Sequence, residues 1–193
     1  GGIHTNVKTE TTIQGLYASG ETACVGMHGA NRLGSNSLSE CLVFGRVSGE
    51  EAAKFAMASS KVEFDNESLK EETQRLDKLR KSTGKETVVD LLNALHDVME
   101  EAAGIIRDEQ RLKDGLVHIK TLQDRYENIG LKDHGKVFNS ELISALELGH
   151  MLELAECLLT AAIERKESRG SHVRTDYEVR DDEQFLHHIM ITK

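Results

Sequence analysis

Three stretches in the second half of the chain repeat apolar residues at three- and four-residue steps, and no other feature limits the fold so strongly. Leu91, Leu95, Val98, Met99, Ala102 and Ile106 form the first stripe, and Leu112, Leu116, Ile119, Leu122, Tyr126 and Ile129 the second. The third, Leu142, Leu146, Leu152, Ala155, Leu159 and Ile163, lies on a long helix expected from about Asn139 to Glu167. This spacing gathers each set on one face of an α-helix, and an apolar face must be buried against another. With a further helix around Ser68–Leu79, residues 61–167 read as a bundle of three or four helices.

Ahead of the bundle the composition changes. Residues 1–60 hold 9 of the 16 glycines and 9 charged side chains, whereas residues 61–193 hold 7 glycines and 48 charged side chains. The first segment is thus rich in backbone that can turn sharply or approach a ligand closely. Within it, Thr11–Ile13 and Gly15–Ala18 read as short strands bounded by glycine, followed by a loop from Gly20 to Asn36. Ser37-Leu38-Ser39-Glu40 then opens a helix with capping-box spacing, the serine hydroxyl and glutamate carboxylate taking up unpaired amide donors. That helix runs to about Ser59, weakened locally by Gly45 and Gly49. From Ser168 the chain turns polar, and Arg169, His172, Arg174 and Asp182 are expected to clamp this tail to the body. The fold class is α+β, mostly α. Short strands plus one helix occupy 1–60, a helical domain 61–167, and a tail packing back on the body 168–193.

Charge and composition exclude several functions. A net charge of −9 does not suit nucleic-acid binding, which needs a basic surface to displace counterions. No apolar run approaches the roughly 20 residues of a membrane helix. Cys24, Cys41 and Cys157 are odd in number and widely spaced, so neither a disulfide framework nor a metal motif is expected, and a reducing cytoplasm is the default. His187-His188 lacks a third ligand nearby, and His96, His118 and His150 sit within helices. The opening Gly1-Gly2-Ile3 lacks an initiating methionine, and a fragment of a longer fold is expected.

The densest chemical signal is His28-Gly29-Ala30-Asn31-Arg32-Leu33-Gly34-Ser35-Asn36-Ser37-Leu38. A histidine, an arginine and glycine-rich backbone here precede a helix N-terminus, whose free amides and dipole favour negative charge. Arg32 adds a planar fork of donors matched to a carboxylate. The plainer reading, a self-capped helix with Arg32 in a structural ion pair, stays open on the residues alone.

Residues 1–60 resemble the closing segment of the flavin domain in the succinate dehydrogenase and fumarate reductase flavoprotein family. The motifs are Gly1-Gly2-Ile3, Gly15-Leu16-Tyr17-Ala18-Ser19-Gly20-Glu21, the eleven-residue stretch above, and Val43-Phe44-Gly45-Arg46. The other end is similar too, in Lys166-Glu167-Ser168-Arg169-Gly170-Ser171-His172, Arg180-Asp181-Asp182 and Phe185-Leu186. Glu178 stands where many relatives have proline. The resemblance implies that Glu21 binds FAD through its ribose and that the backbone of Ser37 and Leu38 meets the flavin ring. It implies that Arg32 holds a substrate carboxylate. His28, close to Arg32, is a candidate to line the flavin, the alternative being a structural hydrogen bond. An acid–base arginine, the amino-terminal dinucleotide fingerprint, a histidine that can carry FAD covalently and a substrate-binding histidine before the paired glycines have no counterpart in this sequence.

The same resemblance implies the C-terminal part of a flavoprotein subunit that interconverts succinate and fumarate by hydride transfer to or from FAD. Electrons pass to an iron–sulfur subunit and a membrane anchor, placing the subunit in the cytoplasm, peripheral to the inner face of the cell membrane. Alone, the segment is expected to be inactive and to hold little FAD. Two alternatives are weighed: L-aspartate oxidase, which shares the flavin motifs, and a helical module that only binds a partner subunit.

Overall fold

The computed structural model describes residues 1–32, 34–60, 63 and 65–192. Leu33, within the His28–Leu38 motif, and Lys61, the expected start of the helical segment, lie outside these. The chain divides into two compact units, Gly1–Phe64 and Asp65–Lys193.

In the first unit, β1 (Ile3–His4) pairs in parallel with β2 (Ala23–Cys24), Ile3 opposite Ala23 and His4 opposite Cys24. The expected strands at Thr11–Ile13 and Gly15–Ala18 are instead a tight reversal held by a single antiparallel bridge, Glu10–Tyr17. Side-chain hydrogen bonding outcompetes the ladder there. Thr11 Oγ1 accepts from the Ile13 amide at 3.1 Å and donates to the Ile13 carbonyl at 3.2 Å, while Asn6 Oδ1 accepts from the amides of Lys8 and Glu10. Local bonds of this kind close turns and compete with extended pairing. Tyr17 then packs edge-on to Phe55 of α1, with ring centroids 6.4 Å apart.

Helix α1 spans Asn36–Ala58 and carries Gly45 and Gly49 without a break. Among its described residues the fully buried one is an acid, Glu40, while Leu38, Leu42, Val43 and Met57 are exposed. The capping box is not formed as expected. Ser35 is the cap residue and its side chain makes no capping hydrogen bond, and Glu40 turns inward to two basic side chains described below.

The second unit contains α2 (Asn66–Arg80), α3 (Val88–Ala103), α4 (Glu109–Tyr126) and α5 (Ser140–Glu164). Each starts where a short polar side chain satisfies an orphan amide: Asp65 accepts from Glu67, Thr87 from Asp90, Asp108 from Arg111, and Asn139 from Leu142. The three apolar stripes meet, with Leu91, Leu95, Leu112, Ile119, Leu152 and Leu159 sealed from solvent, while on α5 Ala145 and Leu148 take the core positions in place of the expected Leu146. Gly115 lets α3 and α4 approach closely, since a Cβ there would lie 2.4 Å from that of Ala102. Helix α2 has no fully buried residue, and Leu79 reaches the core from its last turn. The bundle proper is three helices.

Two residues of the expected stripes leave their helices. Gly104 ends α3, and Ile106 starts β3 (Ile106–Arg107). Ile129 follows α4 and packs into the core with Leu131, where the chain hydrogen-bonds to residues 82–86. Strand β4 (Val173–Arg174) pairs in parallel with β3. Among the described residues no helix is long and apolar enough to cross a membrane.

The tail ties together three helix ends. Arg174, the largest side chain with no exposure, donates to the carbonyls of Ala162 and Arg165 at the end of α5, at 3.0 and 3.3 Å. It also forks onto Asp176 through two contacts of 2.7 Å, while Asp176 accepts from the Glu109 amide at the start of α4. Arg107 donates to the carbonyls of Ala103 and Gly104, closing α3, and to His172 Nδ1 at 2.9 Å. His172 Nε2 donates in turn to the Arg165 carbonyl. Beneath this, Glu167, fully buried, accepts from Arg165, Arg169 and the Asp181 amide, and Arg169 reaches on to Asp182. The four clamp residues named from the sequence are all engaged.

Candidate functional site

The site is assembled where the Gly-rich loop meets α1. Gly20, buried at φ 75°, begins a short 3₁₀ turn (Gly20–Thr22) that carries Glu21. A side chain at Gly20 would crowd Cys41 Sγ at 3.3 Å, so the turn lies tight against the helix. At the other end of the loop Ser35 sits at φ 67°, ψ −40°. That left-handed region costs a residue with a Cβ about 1–2 kcal/mol, and strained backbone of this kind gathers at functional positions. It turns the chain into α1 without a side-chain cap.

Two basic side chains from the loop converge on one carboxylate. His28 Nε2 lies 2.7 Å from Glu40 Oε2, and Arg32 Nη2 lies 3.1 Å from the same oxygen. Glu40 is 1% exposed, against 14% for His28 and 25% for Arg32. Facing a carboxylate oxygen, His28 Nε2 carries the hydrogen and donates it. Arg32 Nη2 also donates to the Gly20 carbonyl at 3.4 Å. Its Nη1 is 3.7 Å from Glu21 Oε1, but Glu21 is 92% exposed, so that pair is weak. Among the described residues, Arg32 Nε and Nη1 make no hydrogen bond.

Of the residues picked from the sequence, His28, Arg32 and Glu21 are therefore brought together. Ser37 and Leu38 lie in the first turn of α1, Ser37 half-buried and Leu38 exposed. The structural ion pair of Arg32 is present through Nη2 and Glu40, and Nη1 makes the weaker pair with Glu21. Glu40 was missed as a site residue. Its partners are 8 and 12 positions upstream, and no short-range pattern announces a pairing across a loop. Among the described residues no group of three or more His, Cys, Asp or Glu is arranged to hold a metal ion.

Residues 92–193 match the family model described as fumarate reductase flavoprotein C-term, and residues 1–38 match that of an FAD binding domain. The fumarate reductase flavoprotein subunit of Mycobacterium tuberculosis is 42% identical over 198 residues, covering 99% of this chain and 34% of the relative. The succinate dehydrogenase flavoprotein subunit of Rickettsia conorii is 39% identical over 181 residues, covering 93% and 30%. A solved quinol-fumarate reductase with menaquinol molecules superposes with a TM-score of 0.90 at 40% identity, covering 96% of this chain and 33% of that one. The chain spans about a third of the length of the curated relatives it matches. It belongs to the succinate dehydrogenase and fumarate reductase flavoprotein family.

Proposed function

We propose that this chain forms the C-terminal part of a flavoprotein subunit that interconverts succinate and fumarate, with electrons passing to an iron–sulfur partner subunit. The observation that carries the reading is the Arg32 fork beside the tip of α1, one nitrogen anchored and the other edge facing the exposed Glu21 at 3.7 Å with no hydrogen bond among the described residues. A carboxylate bound there meets two N–H donors in a plane, the arrangement in which arginine outperforms lysine.

The loop suits FAD at the same place. Ser35 does not cap the first-turn amides of α1 with its side chain, and a Cβ at Gly26, Gly29 or Gly34 would meet nothing within 4 Å. Open backbone beside the N-terminus of α1 suits a ring whose negative charge, developing on reduction, preset donors and the helix dipole stabilise. In this reading Ser37 and Leu38 present backbone to the flavin, Glu21 holds the ribose, and His28 lines the ring while donating to Glu40. FAD, when bound, supplies hydride acceptance and donation. Arg32 holds and orients the dicarboxylate and polarises its double bond.

The acid–base arginine and most FAD contacts belong, on this reading, to the longer subunit. The segment alone is inactive and retains little flavin; a stable yellow preparation would contradict this. The subunit sits peripherally on the inner, cytoplasmic side of the membrane through partner subunits and an anchor, in keeping with its likeness to a quinol-fumarate reductase.

The decisive experiment uses the full-length subunit. Arg32→Ala should lower succinate oxidation with a dye acceptor about a thousandfold, the scale of losing a charged transition-state contact, with flavin absorbance retained. Turnover of aspartate alone by the unaltered protein would overturn the choice of substrate.

A further inference from the structure

We infer that Glu40 is a positioning residue for substrate recognition, its buried carboxylate fixing the Arg32 guanidinium so that one edge stays free for a dicarboxylate. The inference rests on the reading of Arg32 given above and extends it to a residue with no short-range signature.

Glu40 is the fully buried residue among those described in α1, on a helix whose apolar side chains Leu38, Leu42 and Val43 are exposed. Burying a carboxylate is costly, and a buried ion pair is weak evidence for stabilisation, so packing does not explain the arrangement. What Glu40 achieves is geometric. Its Oε2 holds Arg32 Nη2 at 3.1 Å, and the Gly20 carbonyl holds the same nitrogen from 3.4 Å. With one nitrogen held in a rigid plane, the direction of the remaining N–H groups is set. His28 Nε2, at 2.7 Å from the same oxygen, braces the carboxylate. Glu40 also stands on a 23-residue helix, a firmer base than a loop for a group that must aim another.

A competing effect runs the other way, because the Glu40 charge partly cancels the attraction of Arg32 for an anion. Glu40→Gln separates the two, since it keeps the shape and removes the charge. If charge cancellation dominated, the variant would bind a dicarboxylate more tightly. If positioning dominates, binding loosens and turnover slows.

The test uses the full-length flavoprotein. For Glu40→Gln we expect retained flavin absorbance, a kcat/KM for succinate lower by about tenfold or more, and a smaller rise in melting temperature on adding malonate. In combination with Arg32→Lys the losses should multiply to less than their product, as coupled residues do. A kcat/KM within about twofold of the unaltered enzyme, tighter malonate binding, or strictly multiplicative losses would each overturn the inference. Should Glu40→Gln not accumulate as folded flavoprotein, Glu40→Asp decides the same question. A lowered kcat/KM with flavin retained supports positioning, and unaltered kinetics refutes it. An unaltered enzyme that neither turns over succinate or fumarate nor responds to malonate would instead remove the reading of Arg32 on which the inference stands.

Discussion

Glu40 in the first unit and Glu167 in the second are both carboxylates closed off from solvent, and both face arginine. Around Glu167 every direction is filled: Arg165, Arg169 and the Asp181 amide donate to it, and Arg169 continues to Asp182. Around Glu40 the network runs out to the surface through Arg32, whose outer edge makes no hydrogen bond among the described residues and pairs weakly with the exposed Glu21. A closed network converts charge into rigidity. On the proposed reading an open-edged one serves as a recognition element, leaving donors for a ligand.

The contrast can be broken by experiment. Arg174, like Glu167, sits in the closed network. Arg174→Met should destabilise the helical unit by about 3–5 kcal/mol, because it leaves Asp176 uncompensated and strips carbonyls at the end of α5 of their donor. Urea denaturation of the chain measures this. The same variant in the full-length enzyme should leave the KM for succinate unchanged, whereas Arg32→Ala should reduce activity and also lower stability, because buried Glu40 then keeps His28 alone of its two basic partners. A large KM effect at Arg174 would erase the distinction between the two networks.

A smaller effect comes from pH, and its sign depends on where each group titrates. Burial pushes Glu167 up, but hydrogen bonds from Arg169, the Asp181 amide and Arg165 overcome it and hold the carboxyl at about 2. Asp176 is held at about 2 first by its hydrogen bonds from Arg174. Both folded values lie below the ordinary ones of 4.5 and 3.8. Their stabilisation is therefore complete above those ordinary values and is lost as pH falls toward about 2. His172 is lowered, first by burial and then by the charges of Arg107, Arg174 and Arg165, against the hydrogen bond to the Arg165 carbonyl. Below the ordinary histidine value of 6.5 the unfolded chain takes up that proton first, so stability declines from there. Melting followed by circular dichroism should show a plateau above about pH 7, a shallow fall below it, and a steeper one in the carboxylate range. The carboxylate step is on the order of 1–2 kcal/mol once solvent screening is allowed for. A melting temperature that climbs on acidification would contradict the assignment.

Much of the second unit was legible because helical periodicity is a repeated signal, and a stripe such as Leu112–Leu116–Ile119–Leu122 survives one misplaced residue. The ends of the stripes were not. Ile106 and Ile129 fit the period but lie past the helix ends, where Gly104 and the crossing of residues 82–86 redirect the chain. In the first unit, Thr11 closed a turn where residue type suggested a strand. The motif around Arg32 was readable as anion-binding chemistry, yet Glu40 was read as a local cap. Spacing reports neighbours along a helix and is silent about a carboxylate that swings toward a loop.

The parallel pairing of β3 with β4 has a kinetic consequence. It joins Ile106 to Val173 and Arg107 to Arg174 across the whole of α4 and α5, whereas α3, α4 and α5 follow one another. Closing so long a loop costs entropy before any contact offsets it, so the helices assemble first and the tail docks after the rate-limiting barrier. Interactions formed beyond that barrier leave the folding rate alone and slow unfolding. In stopped-flow denaturant jumps, Arg174→Met should refold within about twofold of the unaltered rate and unfold on the order of a thousandfold faster. What Arg174 governs is the lifetime of the folded unit.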